Sequence, residues 1–151
     1  AAYPEVHPQA RSPEADLRAL KAKVDAGANG VITQYFFNAD AYFRLVDDAA
    51  TLGVSAPIVP GIMPITSSSQ LIRFSDACGA EIPRWIRLRL QSYGDDVDSI
   101  KAFGHEVVAD LCERLVEGGA PALHFYTMNQ ATPTLALCER LGLNVAEPAV
   151  A

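Results

Sequence analysis

The sequence lacks the features that mark several classes of protein. Its longest apolar runs fall well short of the ~20 residues that a membrane-spanning helix needs. It opens on Ala1 with neither the basic nor the apolar segment of a secretory leader. Lysine and arginine number 12 against 18 acidic residues, and the basic residues are scattered, which argues against a nucleic-acid surface. We therefore expect a soluble protein that binds neither membranes nor nucleic acid.

Cysteine is also scarce. The chain has three, Cys78, Cys112 and Cys138, with no C-x-x-C spacing among them. No set of His, Cys, Asp and Glu has the spacing of metal ligands. An odd number of widely separated cysteines is typical of a reducing compartment. The expectation is a cytoplasmic protein without a metal site.

What the sequence does contain is an alternation of helical and strand-like segments. Serines such as Ser12 can cap helix starts, and glycines such as Gly27 can end helices. The strand-like segments are short apolar runs, typical of strands covered on both faces. The predicted helices cover residues 13–26, 40–52, 67–77, 83–90, 96–117 and 132–141, and the predicted strands cover residues 1–5, 30–37, 57–65 and 122–128.

Strict alternation with short connections predicts parallel strands joined by right-handed crossovers, hence an α/β fold. Periodicity does not distinguish an open sheet from a closed barrel, but a dinucleotide-binding sheet would need a G-x-G-x-x-G turn, which is absent. A β/α barrel has eight units and rarely fits in fewer than ~200 residues. We therefore expect the 151 residues to form about the last four β/α units of a (β/α)8 TIM barrel, with upstream sequence missing.

Five separated blocks of sequence carry a more specific signal. In this order and spacing they resemble the methylenetetrahydrofolate reductase family, and the resemblance spans nearly the whole chain. One such block would be weak evidence for the family, whereas five in the same order and spacing are specific to it. The blocks are residues 1–8 (AAYPEVHP), 23–29 (KVDAGAN), 32–37 (ITQYFF), 60–64 (PGIMP) and 124–129 (HFYTMN).

The resemblance implies a fold and a reaction. The family is a (β/α)8 barrel that binds FAD noncovalently and uses NADH or NADPH to reduce 5,10-methylenetetrahydrofolate to 5-methyltetrahydrofolate by a ping-pong scheme. It implies that residues 1–151 are the C-terminal half of one barrel domain in a homo-oligomer of one-carbon metabolism and methionine biosynthesis. The family's general acid lies in the N-terminal half, so we expect no catalytic acid or base in these residues.

By resemblance, Tyr3, His7, Asp16 and Lys23 bind FAD. Asp16 and Lys23 are two turns apart on one face of the first predicted helix, so one carboxylate could bind a ribose hydroxyl while one ammonium neutralises the pyrophosphate. Without the resemblance, these residues would more often belong to a plain turn and an exposed charged face. The family's usual asparagine and arginine on this helix are replaced.

The replacing residues are Ala19 and Ala22. Both remove polar groups from the helix that is expected to hold the flavin phosphates. Phosphate binding is therefore expected to depend more strongly on Lys23.

The resemblance also places Gln34, Gln70, Phe74 and Gln130 against the folate. Gln34 is an amide inside an apolar strand, where it needs hydrogen-bond partners from either the backbone or a ligand. Gln70 and Phe74 share a helix face at i, i+4. Gln130 stands where the best-known reductases have an arginine, so it can hydrogen-bond but supplies no charge.

Two other functions stay open from the residues alone. A non-flavin β/α-barrel lyase or aldolase would require a Schiff-base lysine on a strand, and the predicted strands contain none. A noncatalytic binding or assembly fragment is the other alternative, because half a barrel has exposed sheet edges. His124 is assigned to a strand with its ring satisfied, and His105 to a position on the long helix. Trp85 is assigned to packing or subunit contact.

Overall fold

The structure is a computed structural model that describes residues 1–143. Its sheet has three parallel strands, in the order β1-β2-β3. The strands are β1 (Val31–Tyr35), β2 (Ile58–Ile62) and β3 (His124–Phe125), and the helices are α1 (Pro13–Asp25), α2 (Ala39–Thr51), α3 (Ser68–Cys78), α4 (Arg84–Tyr93), α5 (Val97–Glu117) and α6 (Ala131–Arg140). The predicted parallel α/β architecture is confirmed.

The helices begin where their caps predict. The Ser12 hydroxyl accepts a hydrogen bond from the Ala15 N–H at 3.2 Å, and the Ser67 hydroxyl accepts one from the Gln70 N–H at 3.3 Å. These contacts satisfy backbone donors that the first turn of a helix leaves without partners. The helix bounds therefore differ from the predicted ones by only a few residues.

The strand predictions at residues 1–5, 30–37 and 122–128 were too long, and the second of these is β1, Val31–Tyr35. The segment at residues 1–5 forms a single parallel bridge, between Ala2 and Thr33. The predicted strand at 122–128 was wrong in extent, since only His124 and Phe125 pair with β2. The prolines in residues 57–65 indicate a short strand, and that strand is confirmed as β2. Beyond these pairs the chain bends at residues 4–5 and enters a left-handed turn at Met128 and Asn129.

The register of β1 on β2 shifts between Ile32 and Tyr35. Pro60 has no N–H group, so it cannot contribute a donor to the ladder at this point. The Thr33 hydroxyl instead accepts the Gly61 N–H at 2.9 Å and donates to the Gln34 carbonyl at 2.8 Å. A Cβ on residue 61 would fall against the Thr33 carbonyl oxygen, so glycine lets the two strands approach.

The core lies between the sheet and its helices. Tyr42 of α2 is buried, and its hydroxyl donates to the Ile58 carbonyl at 2.7 Å, which joins α2 to β2. The long helix α5 packs against α2, α4, α6 and β2. Leu115 and Cys112 of α5 are fully buried. Within residues 1–143, no helix combines the length and hydrophobicity that crossing a bilayer requires.

We expect Thr33→Val to destabilise the protein by about 1–3 kcal/mol, because it leaves the buried Gly61 N–H without its acceptor at nearly constant volume. Urea denaturation of the complete protein measures the change. Thr51→Val is the matched control, since the Thr51 hydroxyl is exposed and bonds only to its own helix. Equal losses of stability in the two variants would contradict the assignment.

Candidate active site

Three of the four residues predicted to bind FAD line one cleft. Tyr3 lies in the N-terminal segment, and Asp16 and Lys23 lie on α1. We call this space, of about 630 Å³, the α1–α2 cleft, because α2 forms its other wall and contributes Arg44. The acidic residues on its walls besides Asp16 are Glu5, Glu14, Asp48 and Glu81. Cations and carboxylates are therefore both available to a ligand in the cleft.

His7 does not line the α1–α2 cleft, but it is connected to two residues that do. Its ring packs edge-on against Tyr3 with 4.6 Å between centroids. Its backbone N–H donates to Asp16 Oδ2 at 2.8 Å. Its Nδ1 accepts the Gln9 N–H at 3.0 Å, so the neutral ring carries its proton on Nε2. The turn after the N-terminal segment is thereby attached to α1.

Lys23 is exposed, and its Nζ lies 3.4 Å from the Ala1 carbonyl oxygen. Neither Lys23 nor Arg44 forms an ion pair within residues 1–143. The Ala1 carbonyl oxygen has no net charge, so this contact leaves the positive charge of Lys23 uncompensated. Both cations are therefore available for an anion.

The predicted folate residues Gln70, Phe74 and Gln130 line one pocket beyond the carboxyl ends of β2 and β3. We call it the β2–β3 pocket; it is a small recess that encloses about 20 Å³. Gln70 and Phe74 come from α3, and Gln130 is the N-cap of α6. The other lining residues are Met63, Pro64, Thr66, Ser67, Leu71, Tyr126, Thr127, Met128 and Pro133. An aromatic ring, two amides and several apolar side chains thus converge in one place.

Gln34 lines neither the β2–β3 pocket nor the α1–α2 cleft. Its Oε1 accepts the Tyr35 N–H at 3.0 Å, so the backbone satisfies part of the amide. Thr33 and Tyr35 point to the buried face of β1, so Gln34, which lies between them, points to the opposite face. Ile32 shares that opposite face and is 40% exposed. Within residues 1–143 the Gln34 amide nitrogen has no hydrogen-bond partner. It can still donate to a ligand.

Two tyrosines near these regions, the half-buried Tyr126 and the buried Tyr35, were missed as candidate site residues by sequence reasoning. The Tyr126 hydroxyl donates to the Thr33 carbonyl at 2.8 Å. Burial raises the pKa of Tyr126, and the nearby Tyr3 phenol and Cys78 thiol raise it further, so the phenol stays neutral. The Tyr35 hydroxyl lies 2.9 Å from Ser75 Oγ, and burial raises its pKa as well. The sequence feature that could have indicated them is a tyrosine within an otherwise apolar strand-like run, because a buried tyrosine hydroxyl needs a hydrogen-bond partner.

The wall of the β2–β3 pocket contains an unusual backbone. Met128 and Asn129 have φ of 49° and 60°, in the left-handed region. Asparagine tolerates this conformation, whereas methionine rarely adopts it. Non-glycine residues held in this region cluster at functional sites. The two residues turn the chain from β3 so that α6 begins after Gln130, at the pocket.

A sequence model described as "Methylenetetrahydrofolate reductase" matches residues 1–142. The chain belongs to the methylenetetrahydrofolate reductase family. It is 41% identical to the 5,10-methylenetetrahydrofolate reductase of Salmonella typhimurium strain LT2 over 143 residues, which are 95% of this chain and 48% of that protein. It is 43% identical over 144 residues to the "Probable methylenetetrahydrofolate reductase (NADPH)" of Caenorhabditis elegans, covering 95% of this chain and 22% of that protein.

The chain thus spans about half the length of the bacterial methylenetetrahydrofolate reductase that it matches. A solved structure shows the same fold. It is titled "Uncharacterized protein from Clostridium thermocellum binds two copies of 5-methyl-5,6,7,8-tetrahydrofolic acid" and is 20% identical, with a TM-score of 0.61. The match covers 93% of this chain and 52% of the other.

The contact between Asp16 and the His7 N–H leads to a test by hydrogen exchange. Asp16→Ala removes the acceptor, so the amides of His7 and Gln9 should exchange roughly fivefold faster, as expected for losing about 1 kcal/mol. Asp16→Asn keeps an oxygen acceptor and should change exchange little. Asp25→Ala, at an exposed pair with Lys21 on the same helix, is the control. Equal exchange in all four proteins would show that Asp16 does not hold the turn.

Proposed function

We propose that the chain is the C-terminal half of an FAD-binding (β/α)8 barrel. The complete protein is proposed to reduce 5,10-methylenetetrahydrofolate to 5-methyltetrahydrofolate with NAD(P)H. Family membership over residues 1–142 supports the reaction. The share of the bacterial relative that is covered, 48%, supports the position within a longer protein.

The sheet supports the barrel. Its strands lie in chain order, without the reversal that divides an open doubly wound sheet. Ile32 on β1 is 40% exposed, although parallel strands are ordinarily covered on both faces. In a closed barrel this face would point inward and be covered by the remaining strands. Gln34 shares that face and would then point into the barrel.

The observation that carries the proposal is the composition of the β2–β3 pocket. Gln70 and Phe74 on α3 and Gln130 before α6 are remote in sequence, and the fold brings them together at the carboxyl ends of the strands. Barrel enzymes place their active sites at this end. Phe74 offers a ring for a flat aromatic ligand, and the two amides offer donors and acceptors. A folate has complementary groups of both kinds.

The residues of the α1–α2 cleft fit FAD in their chemistry. Lys23 and Arg44 can neutralise phosphate charge, and Asp16 keeps one carboxylate oxygen free after accepting the His7 N–H. Tyr3 presents an aromatic ring on the same wall. Ala19 on α1 is exposed and supplies no polar group. Arg44 lies on the facing helix α2, so it is a cation additional to those expected on α1.

Bound FAD would accept a hydride from NAD(P)H and deliver it to the folate methylene carbon. The residues of this chain hold and orient the two partners. Gln34 can direct its free amide donor to whichever ligand occupies the inward face of β1. Tyr126 stays protonated and retains its hydrogen bond to the Thr33 carbonyl, which fixes one wall. The general acid is proposed to come from residues outside this chain.

The complete protein should bind FAD and be yellow, and Lys23→Ala should raise the FAD dissociation constant by roughly tenfold or more, since a charge-assisted hydrogen bond contributes about 1.5–3 kcal/mol. Fluorescence titration of the apoprotein with FAD measures the constant. Lys21→Ala is the control, because Lys21 pairs with Asp25 and does not line the cleft. A colourless protein that takes up no flavin would contradict the proposed function.

Gln34→Ala should slow reoxidation of the reduced flavin by 5,10-methylenetetrahydrofolate roughly tenfold, the effect of about 1.4 kcal/mol on a barrier. Stopped-flow absorbance at the flavin band measures the two half-reactions separately. Gln91→Ala, at an exposed position on α4, is the control. Unchanged rates in the folate half-reaction of Gln34→Ala would rule out this role.

A further inference from the structure

The turn that carries Tyr3 and His7 contacts a second helix besides α1. We call residues 3–8 the N-terminal turn. Within it, Glu5 Oε2 accepts the Glu81 N–H at 2.9 Å. Pro8 lies against Gly79, since a Cβ on residue 79 would fall on the Pro8 ring. Both partners belong to the segment directly after α3. The N-terminal turn therefore contacts the carboxyl end of α3 at two points that are remote in sequence.

Gly79 is the residue that makes this contact possible. Its φ of 75° lies in the left-handed region, where it ends α3, and its N–H donates to the Ser75 carbonyl at 2.8 Å. Glycine adopts this conformation without the cost that a Cβ would bring. The absence of a Cβ also makes room for Pro8. The end of α3 and the position of the N-terminal turn are thus set by the same residue.

The polar part of the contact depends on the Glu5 carboxylate. Partial burial raises the pKa of Glu5, the hydrogen bond from the Glu81 N–H lowers it, and the neighbouring Glu81 carboxylate raises it. The N–H therefore compensates part of the cost of holding a charged group here. A hydrogen bond to a charged acceptor is stronger than one between neutral groups. Glu5 is thus well suited to hold the segment after α3.

The other part of α3 carries candidate folate residues. Gln70 and Phe74 line the β2–β3 pocket. Between them and the carboxyl end, the helix is fixed to β1, because the buried Ser75 Oγ lies 2.9 Å from the buried Tyr35 hydroxyl. Gln70 is five residues from Ser75, roughly 7.5 Å along a helix axis. Because α3 is one continuous helix, a movement of its carboxyl end about Ser75 also moves Gln70.

We propose that Glu5 is a positioning residue for the folate, because it fixes the carboxyl end of the helix that presents Gln70 and Phe74 to the β2–β3 pocket. This inference rests on the proposed function of that pocket. Glu5 lines the α1–α2 cleft and not the pocket, so it acts through α3. The N-terminal turn then serves both regions, since it carries Tyr3 and His7 for FAD and holds the folate helix through Glu5.

The test follows both half-reactions of the complete protein by stopped-flow absorbance. Glu5→Ala should raise the 5,10-methylenetetrahydrofolate concentration that half-saturates flavin reoxidation roughly three- to fivefold, as expected for losing one partly exposed charge-assisted hydrogen bond. Flavin reduction by NAD(P)H should keep its rate, because the proposed ligand of the α3 residues is the folate. Glu5→Gln should keep the wild-type half-saturation, since its amide oxygen can accept the Glu81 N–H.

Two further variants complete the design. Pro8→Ala removes the apolar part of the contact and should raise the half-saturating concentration in the same direction, so the test does not depend on one variant. Asp76→Ala is the matched control and should change nothing. Asp76 is an exposed carboxylate on the same helix, and it forms no ion pair within residues 1–143.

Three results would overturn the inference: wild-type half-saturation in Glu5→Ala, an equal rise in Glu5→Gln, or an equal slowing of flavin reduction by NAD(P)H. Failure of the proposed function is recognised separately, because the wild type would then not reduce the folate. In that case, calorimetric titration with 5-methyltetrahydrofolate compares Glu5→Ala with Glu5→Gln independently of catalysis. Equal dissociation constants for the two variants, or no binding to the wild type, would reject the role of Glu5.

Discussion

The hydroxyl of Thr33 is the contact on which the arrangement of the sheet depends. Pro60 removes a donor from the middle of β2, and the β1–β2 register shifts beside it, so the buried Gly61 N–H needs an acceptor outside the regular ladder. The Thr33 side chain supplies that acceptor, while the Thr33 carbonyl accepts the Tyr126 hydroxyl. One buried residue on β1 thus connects to β2 and to the segment after β3. The strand ends that form the β2–β3 pocket are held in place through it.

The two candidate binding regions are organised differently. The β2–β3 pocket is built where parallel strands end, and its residues come from loops and helix starts that the sheet aligns. The α1–α2 cleft is built on helix faces, and its N-terminal wall is attached by the bond between the His7 N–H and Asp16. Tyr126 lies between them, close enough to Tyr3 for the two phenols to influence each other. The two candidate binding regions are therefore neighbours.

The sequence predicted the helices well because their signals are local. Ser12 and Ser67 cap helices through bonds within four residues, so no tertiary information is needed. The strands were harder, because the length of β3 depends on its pairing with β2 and on the left-handed turn at Met128. The site residues came from family resemblance, which does not show how they interact. That Asp16 holds the His7 backbone, and that Gln34 bonds to its neighbour's N–H, are properties of the folded chain.

Gln130 lies between the left-handed turn at Met128 and Asn129 and the start of α6, and it lines the β2–β3 pocket. The position of its amide is therefore set by backbone geometry on one side and by a helix start on the other. A replacement of Asn129 that disfavours the left-handed conformation would displace this amide, although Asn129 itself does not line the pocket.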